Sequence, residues 1–209
     1  CRWIKEELKR SNYVCQMKRS RLLVISIMTV IITVISSGCS NDVPRPRGYF
    51  RIELPEKNYV KFDNDSFPYL FDYATVATIE RKATKDEPYW VDVVYPRLNA
   101  RIYCSYKHVD GNFREVNEDA RSFVYKHTIK ADDITEQPYV DDSAKVYALL
   151  YELKGNTASA IQFVATDSVK HFFRGALYFN NTPNQDSVAP VREYIREDII
   201  RLLESLRWR

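Results

Sequence analysis

The chain is poor in glycine, cysteine and histidine. Its 209 residues include only five glycines, four cysteines and three histidines. Phosphate-cradling loops depend on glycine, and the G-x-S-x-G, GxxxxGK[ST] and G-x-G-x-x-G motifs are absent. The histidines form no H-x-H, HExxH or Cys/His cluster, so we expect no metal site and no cofactor.

The formal net charge of +3 belongs to the N-terminal segment. Residues 1–38 hold seven basic and two acidic residues, which leaves 24 basic and 26 acidic residues in 39–209. Nucleic-acid binding needs a positive surface on the folded domain itself. We therefore expect no nucleic-acid partner.

Residues 17–38 have the layout of a secretory signal peptide. A basic stretch at 17–21 precedes the 14-residue apolar run 22–35, and small residues follow. A helix of that length rises only about 21 Å, short of the roughly 30 Å hydrocarbon core, so the run is not predicted to span a membrane. Because the chain opens with Cys1 and an intact signal begins at Met17, we interpret 1–16 as a start-site artefact.

The sequence Ser36-Ser37-Gly38-Cys39 resembles the lipobox of bacterial lipoproteins. The resemblance implies that Cys39 receives a diacylglyceryl thioether, becomes the N-terminus and is acylated, which anchors the protein in a membrane. Each buried CH₂ of an acyl chain contributes about 0.8 kcal/mol. Ser36 departs from the pattern, in which leucine is usual at that position. The alternative is an ordinary signal peptide cleaved nearby.

Residues 39–58 are predicted to form a lipidated tether. Pro44, Pro46 and Pro55 restrict this segment to extended conformations. Cys104 is then the one cysteine left in the exported domain, so we expect no intramolecular disulfide.

Residues 59–209 are predicted to form a single α+β domain. Period-two runs indicate strands at 71–80, 89–95, 100–107, 146–153, 160–166 and 171–179. A helical period indicates a helix over 112–130, whose apolar face carries Phe113, Val116, Ala120, Phe123, Val124 and His127.

The last element is a predicted amphipathic helix running from Val188 to Leu206, with Ser187 as its N-cap and Pro190 in its first turn. Short links between strands favour antiparallel pairing. The prediction is therefore a mostly antiparallel sheet with both helices packed on one face.

Residues that could carry catalysis have plainer interpretations. Cys104 shares the apolar side of its strand, which favours a core position over a reactive thiol. His127 falls on the apolar helix face, where a packing role is favoured. The carboxylate pairs 132–133 and 141–142 lie in polar segments, where solvated side chains are the rule.

The most informative constellation is a surface. If Val91, Val93 and Tyr95 face the helices, alternation puts the neighbouring residues on the opposite side. The predicted interaction surface consists of Trp90, Asp92, Arg101, Tyr103, Lys107, Phe172, Arg174 and Tyr178. Trp, Tyr and Arg are enriched in interface hot spots. An amphipathic solvent face is the alternative, and the polar loop 180–186 is a second candidate for binding.

Several long segments resemble the gliding-motility lipoprotein GldD family of Bacteroidetes. They are SSGC, PRPRGYFRIELPEKNY, EPYWVDVVYPRLNARIYCSYK, YKHTIKAD and HFFRGALYFNNTPNQDSVAPVREYIREDIIRLLESLRW. The similarity extends from about Cys39 to Arg209. It implies a link to gliding motility and to the type IX secretion apparatus, with other envelope proteins as partners. The family has no established catalytic residues.

The order of elements also resembles the PsbP-like α+β sandwich, which carries no function with it. We therefore expect a non-enzymatic docking or assembly protein, lipid-anchored in the cell envelope and facing the periplasm, with the outer membrane favoured by Ser40. The alternative is a glycan- or peptidoglycan-binding module, or a hydrolase that uses His127, His171 or Cys104.

Overall fold

The computed structural model describes residue 28 and residues 53–82, 84–126, 131–155, 157–180 and 185–209. From residue 53 onward the described chain forms ten strands and two α-helices. The strands are β1 Tyr59–Phe62, β2 Tyr69–Ala74, β3 Thr78–Arg81, β4 Val91–Tyr95, β5 Ala100–His108, β6 Asp133–Asp141, β7 Val146–Lys154, β8 Ser159–Thr166, β9 His171–Phe179 and β10 Arg207–Trp208. The helices are α1 Phe113–Lys126 and α2 Gln185–Ser205.

The strands form two antiparallel sheets. A seven-stranded sheet has the order β3-β4-β5-β9-β8-β7-β6, and a three-stranded sheet has the order β1-β2-β10. Adjacent strands pair antiparallel throughout. The predicted α+β class with antiparallel pairing is confirmed.

The two helices pack on opposite faces of the seven-stranded sheet. On one face α2 joins the main core, which includes Ile102, Leu150, Phe163, Phe173, Val191, Ile195 and Ile199. On the other face α1 packs in a second cluster, which includes Val116, Ala120, Val124, Tyr151, Val164 and Phe172. Phe172 and Phe173 are neighbours on β9, so their side chains point to opposite faces. The expectation that both helices cover one face is therefore wrong.

Some predicted boundaries also change. The predicted strand 71–80 is divided between β2 and β3, which lie in different sheets, because the chain turns at Ala77, whose N–H bonds to Ala74 O. The strands β1, β6 and β10 were not predicted. Of these, β6 is an edge strand that contains Pro138. Proline has no N–H to donate to a neighbouring strand, so it is tolerated at a sheet edge.

The ends of both helices differ from the prediction. The structure starts α2 at Gln185, so Ser187 lies within its first turn rather than at the N-cap, and Pro190 lies one turn deeper. The described part of α1 ends at Lys126, and His127 lies outside the described residues.

The segment before β1 is fixed to α2. Residues 53–58 have no regular secondary structure, but Lys57 Nζ lies 2.8 Å from the buried carboxylate of Asp198. The ten strands and two helices described above belong to the unit Tyr49–Arg209. Within the described residues, no helix combines the length and apolarity that crossing a bilayer requires.

Candidate functional site

The strand register brings the predicted surface residues to one sheet face. Across β4 and β5, Asp92 is paired with Tyr103. Across β5 and β9, Arg101 is paired with Tyr178, and Lys107 with Phe172. Side chains opposite each other in a register share a face. All eight predicted residues lie on the face against which α1 packs, here called the α1 face.

These residues differ in how far solvent reaches them. Tyr103 is 46% exposed, and Lys107 is also exposed. Asp92 and Phe172 are each only 3% exposed. The ring of Phe172 packs against Phe113 of α1, with centroids 6.5 Å apart. Phe172 is thus a core residue beneath α1, and its placement on an accessible surface was wrong.

Arg101 belongs to an ion-pair network inside the protein. Its Nη1 atom lies 2.7 Å from Glu80 Oε2 and 2.8 Å from Asp92 Oδ2. These bonds raise the pKa of Arg101 and lower the pKa of Glu80. A buried carboxylate needs a counter-ion, and Arg101 is the counter-ion of Asp92. The Arg101 charge therefore stabilises the fold, and it is not free to bind a partner.

Two adjoining cavities open on the α1 face. The larger, of about 560 Å³, lies over the open part of the sheet and is lined by Lys82, Thr84, Trp90, Asp92, Tyr103, Cys104, Ser105, Arg174, Ala176 and Tyr178. The smaller, of about 240 Å³, lies between the sheet and α1 and is lined by Glu87, Trp90, Ser105, Lys107, Val116, Asp119, Ala120, Phe123, Phe172 and Arg174. Trp90, Ser105 and Arg174 border both, and we call the pair the Trp90–Arg174 cleft.

Arg174 is held in place by neutral groups. Its Nη2 donates to Gln162 Oε1 at 2.9 Å, and its guanidinium carbon lies 5.0 Å from the centroid of the Phe123 ring. Burial lowers the pKa of Arg174. Among the described residues, no carboxylate oxygen lies within 4.0 Å of this guanidinium.

Two buried donors at the cleft have no hydrogen-bond partner in the described part of the protein. They are Trp90 Nε1 and Arg174 Nε. Nearly all buried polar groups in folded proteins are hydrogen-bonded, so two unpaired donors bordering the same cavities are unusual.

An aromatic pair forms one wall of the larger cavity. The Tyr103 and Tyr178 rings meet edge to face, with centroids 5.4 Å apart. This geometry is favourable for aromatic rings and leaves Tyr103 accessible to solvent. The wall offers apolar contact area beside the polar groups of the cleft.

The residues of the hydrolase alternative do not come together. Cys104 is buried in the main core, and burial raises its pKa, which disfavours the thiolate. His171 Nδ1 and the Tyr106 hydroxyl form a hydrogen bond of 2.8 Å, and the His171 ring stacks on Trp208. Burial lowers the pKa of His171.

The other sequence candidates lie apart from the cleft. Asp133 pairs with Lys154 on the surface, and Asp141 caps the turn to β7 by accepting from Ala144 N. Of the loop 180–186, residues 181–184 lie outside the described residues, and Asn180 N donates to Asn99 O.

Three residues that contact the arginines of the predicted surface are missing from the sequence prediction. Glu80 was placed in a single long strand, so its closeness to Arg101 was hidden. Gln162 lies on β8, where alternation with Phe163 could have placed it on the α1 face. Phe123 was assigned to the apolar helix face, but it leaves the core and covers Arg174.

A family model described as gliding motility lipoprotein GldD matches residues 39–208. The chain belongs to this family. The resemblance inferred from the sequence segments is therefore confirmed. As a member of a lipoprotein family, the protein is membrane-anchored in the cell envelope. No match to a curated protein was found.

Among solved structures, this chain is similar to the solution structure of cyanobacterial PsbP (CyanoP) from Synechocystis sp. PCC 6803. The identity is 10%, the TM-score is 0.44, and the alignment covers 83% of this chain and 99% of that chain.

Proposed function

We propose that this GldD-family lipoprotein is a non-enzymatic docking or assembly component of the gliding-motility and type IX secretion machinery. Cys39 carries the lipid anchor, and the domain faces the periplasm, with the outer membrane as the favoured membrane. The partners are other envelope proteins of that machinery. The α1 face is the docking surface.

The observation that carries this proposal is the composition of the exposed part of the α1 face. Tyr103 and Lys107 lie on the same side of β5 and project to solvent. Each lines a cavity that Trp90 also borders. Aromatic and basic side chains on a rigid strand give a partner large contact area at a small entropy loss. The opposite face of the seven-stranded sheet is less available to a partner, since α2 packs against it.

The non-enzymatic assignment is supported by the chemistry of the candidate residues. The side chains of Cys104 and His171 lie on the side of the sheet that α2 covers, where Cys104 Sγ contacts Ile102 O and His171 Nδ1 contacts the Tyr106 hydroxyl. A nucleophile needs an accessible, activated atom and a base within hydrogen-bond reach. The Cys104 thiol has neither.

The docking test uses exposed residues so that the fold is preserved. The double variant Tyr103→Ala/Lys107→Ala should reduce recovery of crosslinked envelope partners by about tenfold or more, since hot-spot residues contribute most of the binding free energy. The control is Val60→Ala/Lys61→Ala, which removes an exposed apolar side chain and an exposed lysine from β1, in the three-stranded sheet. Crosslinking in cells followed by mass spectrometry measures recovery.

Unchanged recovery with intact circular dichroism would rule out the α1 face as the docking surface. The anchor is checked in the same preparation by intact mass, which should show acylation at Cys39. An unmodified Cys39 thiol would contradict the anchor.

A glycan-binding function is the second candidate. It is favoured by the Tyr103–Tyr178 pair, because sugar rings stack on exposed aromatic faces next to polar cavities. Binding of soluble cell-wall fragments that is lost in Tyr103→Ala would support it over protein docking.

A further inference from the structure

The Trp90–Arg174 cleft contains a cation that the described residues leave unbalanced. Arg101, on the same face, illustrates the contrast, because it contacts both Glu80 and Asp92. Lys82 lies 3.7 Å from Glu80, so this second basic residue of the larger cavity also has an acidic neighbour. Arg174 instead contacts an amide oxygen and an aromatic ring. A partly buried charge without a counter-ion is unfavourable, which is a reason to expect an anion beside it.

The unpaired hydrogen-bond donors point to the same region. Trp90 Nε1 and Arg174 Nε each carry one N–H and have no acceptor within the described residues. Both atoms are closed off from solvent in this structure, so a ligand in the cleft reaches them only when the two side chains rotate toward it. A third unpaired donor, Gln162 Nε2, belongs to the side chain that holds Arg174 and is 1% exposed. The three buried and unpaired side-chain atoms in this region are therefore all donors.

The number and type of these donors restrict the ligand. Two N–H groups can serve the two oxygens of one carboxylate, and one guanidinium balances one negative charge. A phosphate dianion would require a second cation, and Lys82 is already beside Glu80, while Lys107 borders the smaller cavity together with two carboxylates. The Glu87 and Asp119 carboxylates border the smaller cavity and would repel a more highly charged anion.

The walls of the cleft restrict the rest of the ligand. Tyr103, Ala176 and Tyr178 line the larger cavity, and Phe123 and Val116 line the smaller one. A volume of about 560 Å³ is in the range of pockets that enclose small organic ligands. The occupant should therefore join its anionic group to an apolar body.

We propose that the Trp90–Arg174 cleft binds a carboxylate attached to an apolar or aromatic group, with the carboxylate held by Trp90 and Arg174. The carboxylate can belong to a free organic acid or to the C-terminus of a polypeptide, and the recognition chemistry is the same. This site goes beyond the docking function proposed above, because it uses the buried part of the α1 face rather than Tyr103 and Lys107 as exposed contacts.

The test measures binding of matched acids and amides to the full chain in phosphatidylcholine nanodiscs by isothermal titration calorimetry. The first pair of probes is 3-phenylpropionate and 3-phenylpropionamide. The second pair is the peptide acetyl-Leu-Ala-Phe with a free carboxylate and with a C-terminal amide. Each acid that binds should do so about tenfold or more tightly than its amide, since hydrogen bonds to a charged group are the stronger ones. Tighter binding of the small acid or of the peptide acid identifies the source of the carboxylate.

Three variants assign the interaction to the cleft. Arg174→Met keeps the side-chain length and should weaken acid binding about tenfold or more. Trp90→Phe keeps an aromatic ring and should weaken it by a factor of about three to ten. Arg121→Met is the control, because Arg121 lies on α1 away from both cavities, and it should bind acids like the unmodified chain.

A second readout follows the Trp90 indole directly. Its N–H resonance, identified by its loss in Trp90→Phe, should move downfield when the acid binds, because a new hydrogen bond forms there. If Arg174→Met fails to fold, Trp90→Phe and this resonance decide the matter.

Equal binding of acid and amide, unaltered binding by a folded Arg174→Met, or no binding of any acid at millimolar concentration would overturn the proposal. None of these outcomes affects crosslinking of envelope partners, so failure here is distinguishable from failure of the docking function.

Discussion

The buried carboxylate of Asp198 connects three parts of the chain to α2. Asp198 is 2% exposed and accepts hydrogen bonds from Lys57 Nζ at 2.8 Å, Tyr59 OH at 2.9 Å and Tyr95 OH at 3.2 Å. These bonds attach the segment before β1, β1 itself and β4 to the helix. They also raise the pKa values of Tyr59 and Tyr95, together with the larger effect of burial.

Asp198→Ala should therefore destabilise the domain strongly. Removing one partner of a buried ion pair typically lowers the free energy of unfolding by about 3–5 kcal/mol. Part of this loss arises because the buried Tyr95 hydroxyl would have no acceptor. In a domain of this size, each kcal/mol lowers the melting temperature by about 2–4 °C. We expect a fall of about 6–20 °C, toward the lower end because Lys57 is partly exposed.

The neighbouring residue provides a matched control. Glu197 Oε2 lies 3.2 Å from the same Lys57 Nζ, but its side chain is 57% exposed. Glu197→Ala should cost less than about 1 kcal/mol, as solvated ion pairs do. Urea unfolding and thermal melts of the full chain, followed by circular dichroism, measure both variants. Equal, small losses in the two would refute the conclusion that Asp198 fixes the tether end of the domain to α2.

Two further predictions concern β9. Gly175→Ala places a Cβ against the ring of the buried Phe163 and should destabilise the domain by about 1–3 kcal/mol in urea unfolding; full stability would contradict the packing. His171 has a pKa lowered below that of the unfolded chain, so the unfolded state binds the proton more readily. Stability should fall as the pH drops below about 6.5 and level off below the folded pKa. His171→Gln should reduce this pH dependence, and an unchanged profile would contradict it.

Much of the α1 face was predictable from alternation alone. In β4, β5 and β9, apolar residues repeat every second position, so the remaining residues must share the other side. Burying one face of both strands fixes the side on which each residue lies, but registers that differ by two residues satisfy it equally, so the pairing of Ser105 with Arg174 comes from the structure. The sequence therefore predicted which side chains share a face, but not which of them meet.

The placement of the helices was not predictable in the same way. Periodicity shows which side of a helix is buried, but it does not show against which sheet face that side packs. In β8, Phe163 and Val164 are buried on opposite sides of the sheet, so apolar residues do not simply alternate with polar ones. This pattern indicates that both faces are covered, but it is compatible with either arrangement of the helices.

Arg101 and Arg174 show where prediction from residue type ends. Both arginines lie on the α1 face, Arg101 on β5 and Arg174 on β9, and the sequence prediction places both on the same surface. The counter-ions of Arg101 come from β4 and from β3, a strand that the sequence pattern merged with β2. Arg174 faces Gln162 and Phe123 instead. Substituting Arg101 therefore leaves Asp92 buried and unpaired, so any loss of partner binding would be confounded with lost stability. Substituting Arg174 removes a charge that lacks a counter-ion among the described residues, so binding can be lost while the fold is kept.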